Sequence, residues 1–327
     1  MISTPGNPSQ TAFANAPTAW GEWSLIMATA ELTPASVGIH HVLIGTDLSH
    51  QSDVALRYGL GFVRLYGAEA EIVYVMPTEE YVMAGPEGML AARDASRRDL
   101  LELKSRMRRS HPYDEDTDYH VTMVEGDVAE CLLQCAREKK IDLIVLGTHG
   151  RSGLGKALLG SVAEKVFRHS AVPVLTIGPN IHRLQGWQEV RKIVAPCDLT
   201  PKSHSAMRYA CALAKAHNSE LTVVHVIDGA NEGAKVDPER VKAGVRERLS
   251  DIISKLSEGL EVQYRIEFGR VSSTILDVAS AVEADLIVLG VRPSSGLFDR
   301  FQWPVAYELV REATCPVLTI RGKTPVH

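Results

Sequence analysis

The sequence predicts a doubly wound α/β protein built from one unit used twice, and three observations carry that prediction. The hexapeptide Asp142-Leu-Ile-Val-Leu-Gly147 recurs letter for letter as Asp285-Leu-Ile-Val-Leu-Gly290. Both copies reach a Pro-Val-Leu-Thr-Ile segment after the same interval, at 173–177 and 316–320. Residues 40–75 align without a gap on 191–226, which brings Asp47 onto Asp198, Leu48 onto Leu199, Arg57-Tyr58 onto Arg208-Tyr209 and Glu69 onto Glu220. Self-similarity at domain length means a duplicated fold. Each copy is then a control for the other: a residue the fold needs should appear in both, whereas one needed only for ligand chemistry is free to be lost from one.

In each unit short continuous apolar runs alternate with segments of helical period, the pattern of buried parallel strands joined by crossover helices. The first unit reads as strand 41–45, helix 52–66, strand 71–75, helix 90–108, strand 118–124, helix 128–139, strand 143–147, helix 161–169 and strand 174–177. The second unit gives the same order. Right-handed crossovers put helices on both faces, so five parallel strands with four crossovers make a doubly wound sheet in each unit. Only the middle differs in length, 76–119 being longer than 227–262, and that difference is expected at surface loops and helix ends. Each sheet closes on an apolar strand whose exposed edge is a liability unless paired. The last strands, 172–177 and 315–320, are therefore expected to pair with each other about a pseudo-twofold axis.

A chain of 327 residues suits two such cores of about 140 residues each. The reading divides it into a flexible tail over 1–37, a first domain over 38–178, a linker over 179–189, a second domain over 190–322 and a short tail over 323–327. Thirty-five basic against 40 acidic residues, mixed along the helices, give no basic stripe and argue against a nucleic-acid partner. Five scattered cysteines make no disulfide framework, so the chain reads as cytoplasmic. The first 37 residues lack a basic start and a compact apolar run, and no stretch approaches the ~20 apolar residues that span a bilayer, which argues against a membrane partner.

In doubly wound sheets ligands bind beyond the carboxyl ends of the strands, where winding reverses, so the loops after the first and fourth strands deserve inspection. After the fourth strand comes Gly147-Thr-His-Gly150, nine further residues, and Gly160-Ser161-Val162 opening a helix. Glycines let backbone amides approach a phosphate, and a helix start adds unpaired N–H donors and a favourable dipole. Ser161 is placed to cap the helix or to give its hydroxyl to a phosphoryl oxygen. Asp47, at the end of the first strand, is a candidate acceptor for a ribose hydroxyl or adenine amine, or alternatively a cap for the following helix.

This spacing, with Gly-Thr-Asp-Leu-Ser over 45–49, resembles the nucleotide loop of the ATP-binding universal stress proteins, over roughly residues 38–322. The resemblance implies two Rossmann-like domains of the adenine nucleotide alpha hydrolase type. It implies ATP, with or without magnesium, held by Asp47, by Val75 at the end of the second strand, and by Gly147, Gly150, Gly160, Ser161 and Val162 around the phosphates. Thr46 and Leu146 are its expected backbone neighbours. It further implies a stress-response role, an intramolecular pseudo-dimer of the repeats and a homodimer of the whole chain.

A rival motif shares the loop: Gly150-x-x-x-x-Gly155-Lys156 is one residue short of a Walker A sequence, but Ala157 stands where a magnesium-binding Ser or Thr belongs. Arg151 and Lys156 remain as phosphate-neutralising or solvated cations. His149 is a candidate acid–base group without an evident carboxylate partner. No catalytic or metal-binding set emerges, so the expected protein is a nucleotide-binding module that at most hydrolyses ATP slowly. The alternatives are a hydrolase using His149 and Lys156, and a scaffold with no ligand. In the second unit Gly150 becomes Pro293, Gly160 becomes Trp303 and Ser161 becomes Pro304. Proline lacks the N–H that would meet a phosphate. The second crevice is thus expected to hold no triphosphate and to be partly filled by Phe301 and Trp303.

Overall fold

Parallel pairing on both sides of one central strand organises each half of the molecule. The computed structural model describes residues 37–76, 85–110, 119–148, 160–181, 190–200, 203–228, 237–257, 259–291 and 302–321. The first half runs β1 (His41–Thr46), α1 (His50–Tyr66), β2 (Glu69–Met76), α2 (Gly85–Ser110), β3 (Tyr119–Glu125), α3 (Val128–Glu138), β4 (Leu143–Gly147), α4 (Ser161–His169) and β5 (Val174–Ile177). The second repeats the order as β6 (Lys192–Pro196), α5 (His204–His217), β7 (Glu220–Ile227), α6 (Pro238–Ser257), β8 (Val262–Phe268), α7 (Val271–Ala281), β9 (Leu286–Val291), α8 (Gln302–Glu312) and β10 (Val317–Arg321). All ten strands join one sheet in the order β3-β2-β1-β4-β5-β10-β9-β6-β7-β8. Every pairing is parallel except β5 with β10. Part of the extra length in the first half lies in α2, which has 26 residues against 20 in α6.

Strand alternation sends successive side chains into two layers. Val42 and Ile44 of β1 pack with Ala55, Leu56 and Phe62 of α1 on one face, while Leu43 between them packs with Leu132 of α3 and Val166 of α4 on the other. Val37 and Ile181, from segments read as tail and linker, are also buried in the first of these layers. Among the described residues no helix is long and apolar enough to cross a membrane.

The duplication extends to backbone conformation. Four pairs of equivalent positions share positive φ values: Leu48 (65°) with Leu199 (59°), Gly67 (60°) with Asn218 (51°), Gly126 (145°) with Gly269 (151°), and Lys140 (51°) with Glu283 (53°). Gly67 and Asn218 end α1 and α5, where a left-handed residue closes the last turn and costs least as Gly or Asn. The opening Asp of the repeated hexapeptide also has a structural use. Asp142 Oδ2 accepts from the backbone N–H of His40 (2.8 Å) and His41 (2.9 Å), and Asp285 Oδ2 from Arg191 and Lys192 (both 3.0 Å). Each Asp ties the entry of the central strand to the entry of its neighbour. Asp142→Ala is expected to lower stability by about 1–3 kcal/mol, because two strand-start amides lose their acceptor. An unchanged denaturation midpoint would show that water replaces the carboxylate at no cost.

The halves meet where the exposed edges were expected to pair. In β5 and β10, Leu175 faces Leu318, and Val174 and Thr176 face Thr319 and Val317. Since Leu175 and Leu318 are equivalent positions, the pseudo-twofold axis passes between them. Thr319 donates to the Val174 carbonyl (3.2 Å), Arg321 to that of Ser170 (3.2 Å), and Asn180 to that of Arg311 (3.0 Å) at the end of α8. A second equivalent pair, Tyr66 of α1 and His217 of α5, meets through a 2.5 Å hydroxyl–Nε2 hydrogen bond with the rings edge to face.

Burial lowers the His217 pKa below its ordinary 6.5. The folded state then binds a proton less readily than the unfolded one, so the contribution is complete above the unfolded value and is lost as pH falls through it toward the folded one. Burial moves His204 of α5 the same way. The thermal midpoint is expected to drop between about pH 7 and about pH 5, with a shallower slope in His217→Phe. Identical slopes for the two proteins would remove His217 as the cause.

One link between neighbouring helices has reversed polarity. In the first half Lys165 of α4 pairs with Asp127 before α3 (3.2 Å), and in the second Glu308 of α8 pairs with Arg270 before α7. Position 127 aligns on 270 and 165 on 308, so the same contact is kept with its charges exchanged.

Candidate functional site

Because β1 lies between β2 and β4, the chain winds one way to β2 and the other to β4, opening a crevice at the carboxyl ends of these strands. Thr46 ends β1, buried, with its hydroxyl 2.9 Å from that of Ser52 and accepting from the Leu48 N–H (3.0 Å). Asp47 comes next. Its Oδ1 accepts from the Ser49 N–H (3.0 Å) and from the Ser49 hydroxyl (2.6 Å), an Asx turn that fixes the carboxylate at the strand end. The turn carries the left-handed Leu48, whose strained backbone the side-chain bonds on either side hold in place. Ser49, accepting from the Ser52 N–H (3.2 Å), is the cap of α1, so Asp47 does not serve as that cap.

Val75 is buried one residue beyond Tyr74, the β2 partner of Thr46. Leu146 and Gly147 end β4 on the other side of β1. The loop that follows is stitched at its ends: Thr148 N–H donates to the Ile177 carbonyl (3.1 Å), and Gly160 N–H donates back to the Thr148 carbonyl (2.9 Å). A Cβ on Gly160 would stand 2.8 Å from that same carbonyl oxygen, so this close approach requires glycine. Gly160 is also the cap residue of α4, without a side-chain bond, and Ser161 is the exposed first helical residue. The capping role read for Ser161 from sequence is therefore corrected, because the helix starts one residue earlier than that role needs. The N–H groups of Ser161 and Val162 belong to the first turn, where the helix offers no acceptor.

Thr46, Asp47, Val75, Leu146, Gly147, Gly160, Ser161 and Val162 thus all sit at the ends of β1, β2 and β4 or at the start of α4. Gly150 lies outside the described residues, as do His149, Arg151, Gly155, Lys156 and Ala157. Beside α4, the N–H of Glu130 and then Lys165 hold the Asp127 carboxyl below the usual carboxylate range. Burial pushes the thiols of Cys131, Cys135 and Cys197 up, and that of Cys211 to about 12, which keeps them protonated and poor nucleophiles. Among the described residues no three His, Cys, Asp or Glu gather to hold a metal.

Sequence reasoning missed Ser49 and Ser52, the partners that orient Asp47 and Thr46. The signal was present in Asp47-Leu-Ser49 and Ser49-x-x-Ser52, the spacings of an Asx turn followed by a helix cap.

The second half shows which of these features belong to the fold. Asp198 Oδ1 accepts from the Thr200 N–H (3.0 Å) and hydroxyl (2.7 Å), repeating the Asx turn, and Cys197 with Ser203 (3.4 Å) replaces the Thr46–Ser52 pair. The Asp is retained because the turn needs it. The equivalent crevice holds a cavity of about 350 Å³, lined by Cys197, Asp198, Val224, Val226, Ile275 and Val305 among others. Pro293, Phe301 and the Trp303 side chain, to which the filling of this crevice was assigned, lie outside the described residues.

The description universal stress protein family belongs to a family model that matches this chain twice, over residues 38–178 and 189–321. A universal stress protein of Mycolicibacterium smegmatis is 23% identical over 297 residues, covering 86% of this chain and 97% of that protein. One from Methanocaldococcus jannaschii is 32% identical over 138 residues, 42% of this chain and 80% of its own length. Among solved structures, a universal stress protein from Archaeoglobus fulgidus superposes with a TM-score of 0.67 at 22% identity, over 88% of this chain and 97% of that one.

Proposed function

The chain belongs to the universal stress protein family, and from that premise we propose that its first half binds ATP in the crevice beyond β1, β2 and β4 and acts as a regulatory nucleotide-binding module. The observation that carries this reading is the loop stitched through Gly160 and Thr148, which delivers the open first turn of α4 to the crevice where Asp47 is pinned. Asp47 accepts from the ribose or adenine end, with Val75 beside it. Gly147, Gly150, Gly160, Ser161 and Val162 surround the phosphates, and Thr46 and Leu146 shape the floor. The N–H groups of Ser161 and Val162 and the positive end of α4 supply attraction for the phosphates. Five free cysteines suit a reducing cytoplasm.

Mass spectrometry of the denatured, freshly purified protein should release an adenine nucleotide, and calorimetry on the stripped protein should give one ATP per chain. No nucleotide and no heat of binding would refute the proposal in favour of a scaffold. Sustained turnover above about 1 per second, lost in His149→Ala, would refute the regulatory module in favour of a hydrolase.

A further inference from the structure

The cavity beyond β6, β7 and β9 has no part in that reading. It lies where the first half has its crevice, but its chemistry differs at aligned positions. Cys197 stands in place of Thr46, His225 in place of Tyr74, Trp303 in place of Gly160 and Pro304 in place of Ser161. Pro304 removes an N–H from the first turn of α8, and a thiol donates more weakly than a hydroxyl. The acceptors, by contrast, remain. Asp198 lines the cavity with its carboxylate fixed by Thr200. His225 lines it too, and because its Nδ1 donates to the Cys197 carbonyl (2.7 Å), the neutral ring keeps Nε2 as an acceptor. Ser203 also lines it, its hydroxyl donating to the Thr200 carbonyl (2.8 Å), and most of the remaining walls, among them Val224, Val226, Ile275 and Val305, are apolar. Among the described residues a phosphate brought here would meet a carboxylate and few donors, whereas an apolar ring bearing its own donors would find matching walls and acceptors. The volume, about 350 Å³, is at the small end of ligand pockets.

We propose that this cavity is a second, separate binding site, selective for small uncharged ring compounds that carry N–H or O–H donors and closed to their phosphorylated forms. The inference stands apart from ATP binding in the first half and survives if that reading fails. Adenosine and AMP are the probes, differing only in the phosphate. Calorimetry on the full chain carrying Gly160→Trp together with Asp47→Asn, which disables the phosphate end and the adenosine end of the first crevice while keeping the turn's Oδ1 acceptor, should give one adenosine per chain and AMP at least tenfold weaker. Asp198→Asn in that background keeps the turn's Oδ1 acceptor and swaps the other oxygen for a donor, so adenosine should weaken at least tenfold with the unfolding midpoint unchanged. Crystals of the unsubstituted chain soaked in adenosine should show it beyond β6, β7 and β9. AMP binding as tightly as adenosine, indifference to Asp198→Asn, or adenosine confined to the first crevice would overturn the proposal.

Discussion

Gly160→Trp should weaken ATP binding by at least tenfold, about 1.4 kcal/mol, while Trp303→Ala leaves it unchanged. The substitution copies the residue of the second half into the first. Any Cβ at position 160 meets the Thr148 carbonyl oxygen at 2.8 Å, so the stitch must open, and an indole then enters the space beside the first turn of α4. Gly160→Ala separates the two effects, since it opens the stitch without adding bulk. It should fall between the parent and the Trp variant. Asp47 and its Asx turn are remote from the added ring in sequence and are held by Ser49, so the adenosine end is expected to persist. Unimpaired binding by Gly160→Trp, or two equivalent ATP sites per chain, would mean that the loop is not the phosphate site.

Leu175→Ala should destabilise the whole molecule by about 2–5 kcal/mol, the range for truncating a fully buried leucine. Leu175 has no exposed surface and faces Leu318 across the one antiparallel seam of the sheet. Because β5 and β10 join the halves into a continuous sheet, unfolding should remain a single transition shifted to lower denaturant. Leu318→Ala should cost a similar amount, and the double variant less than the sum, since both deletions open the same space. Separate transitions for the two halves would show that the seam does not couple them.

Strand interiors were legible in the sequence because burial on both faces demands runs such as Val42-Leu-Ile44 and Leu143-Ile-Val-Leu146. Ends were less so. β2 begins at Glu69, two residues before the strand start read from sequence, because an exposed strand start needs ladder hydrogen bonds and no apolar side chain. Helix α2 begins at Gly85, ahead of the apolar positions that revealed it, for the corresponding reason that a solvent-facing first turn carries no periodic signal. At the candidate site the glycines and Asp47 stood out by type and spacing. The contact between Gly160 and Thr148 did not, since eleven intervening residues hide which two positions close the loop.

The exchanged charges of the helix pairs bear on how a duplicated chain assembles. Two near-copies on one polypeptide invite a helix of one to dock on the sheet of the other while both are still forming, a characteristic failure of repeat proteins. In the aligned register, α4 docked in the second half would bring Lys165 to Arg270, and α8 docked in the first would bring Glu308 to Asp127. Either error places like charges together where the native partner offers an opposite one. Each helix therefore carries the address of its own half, written in a single pair of side chains.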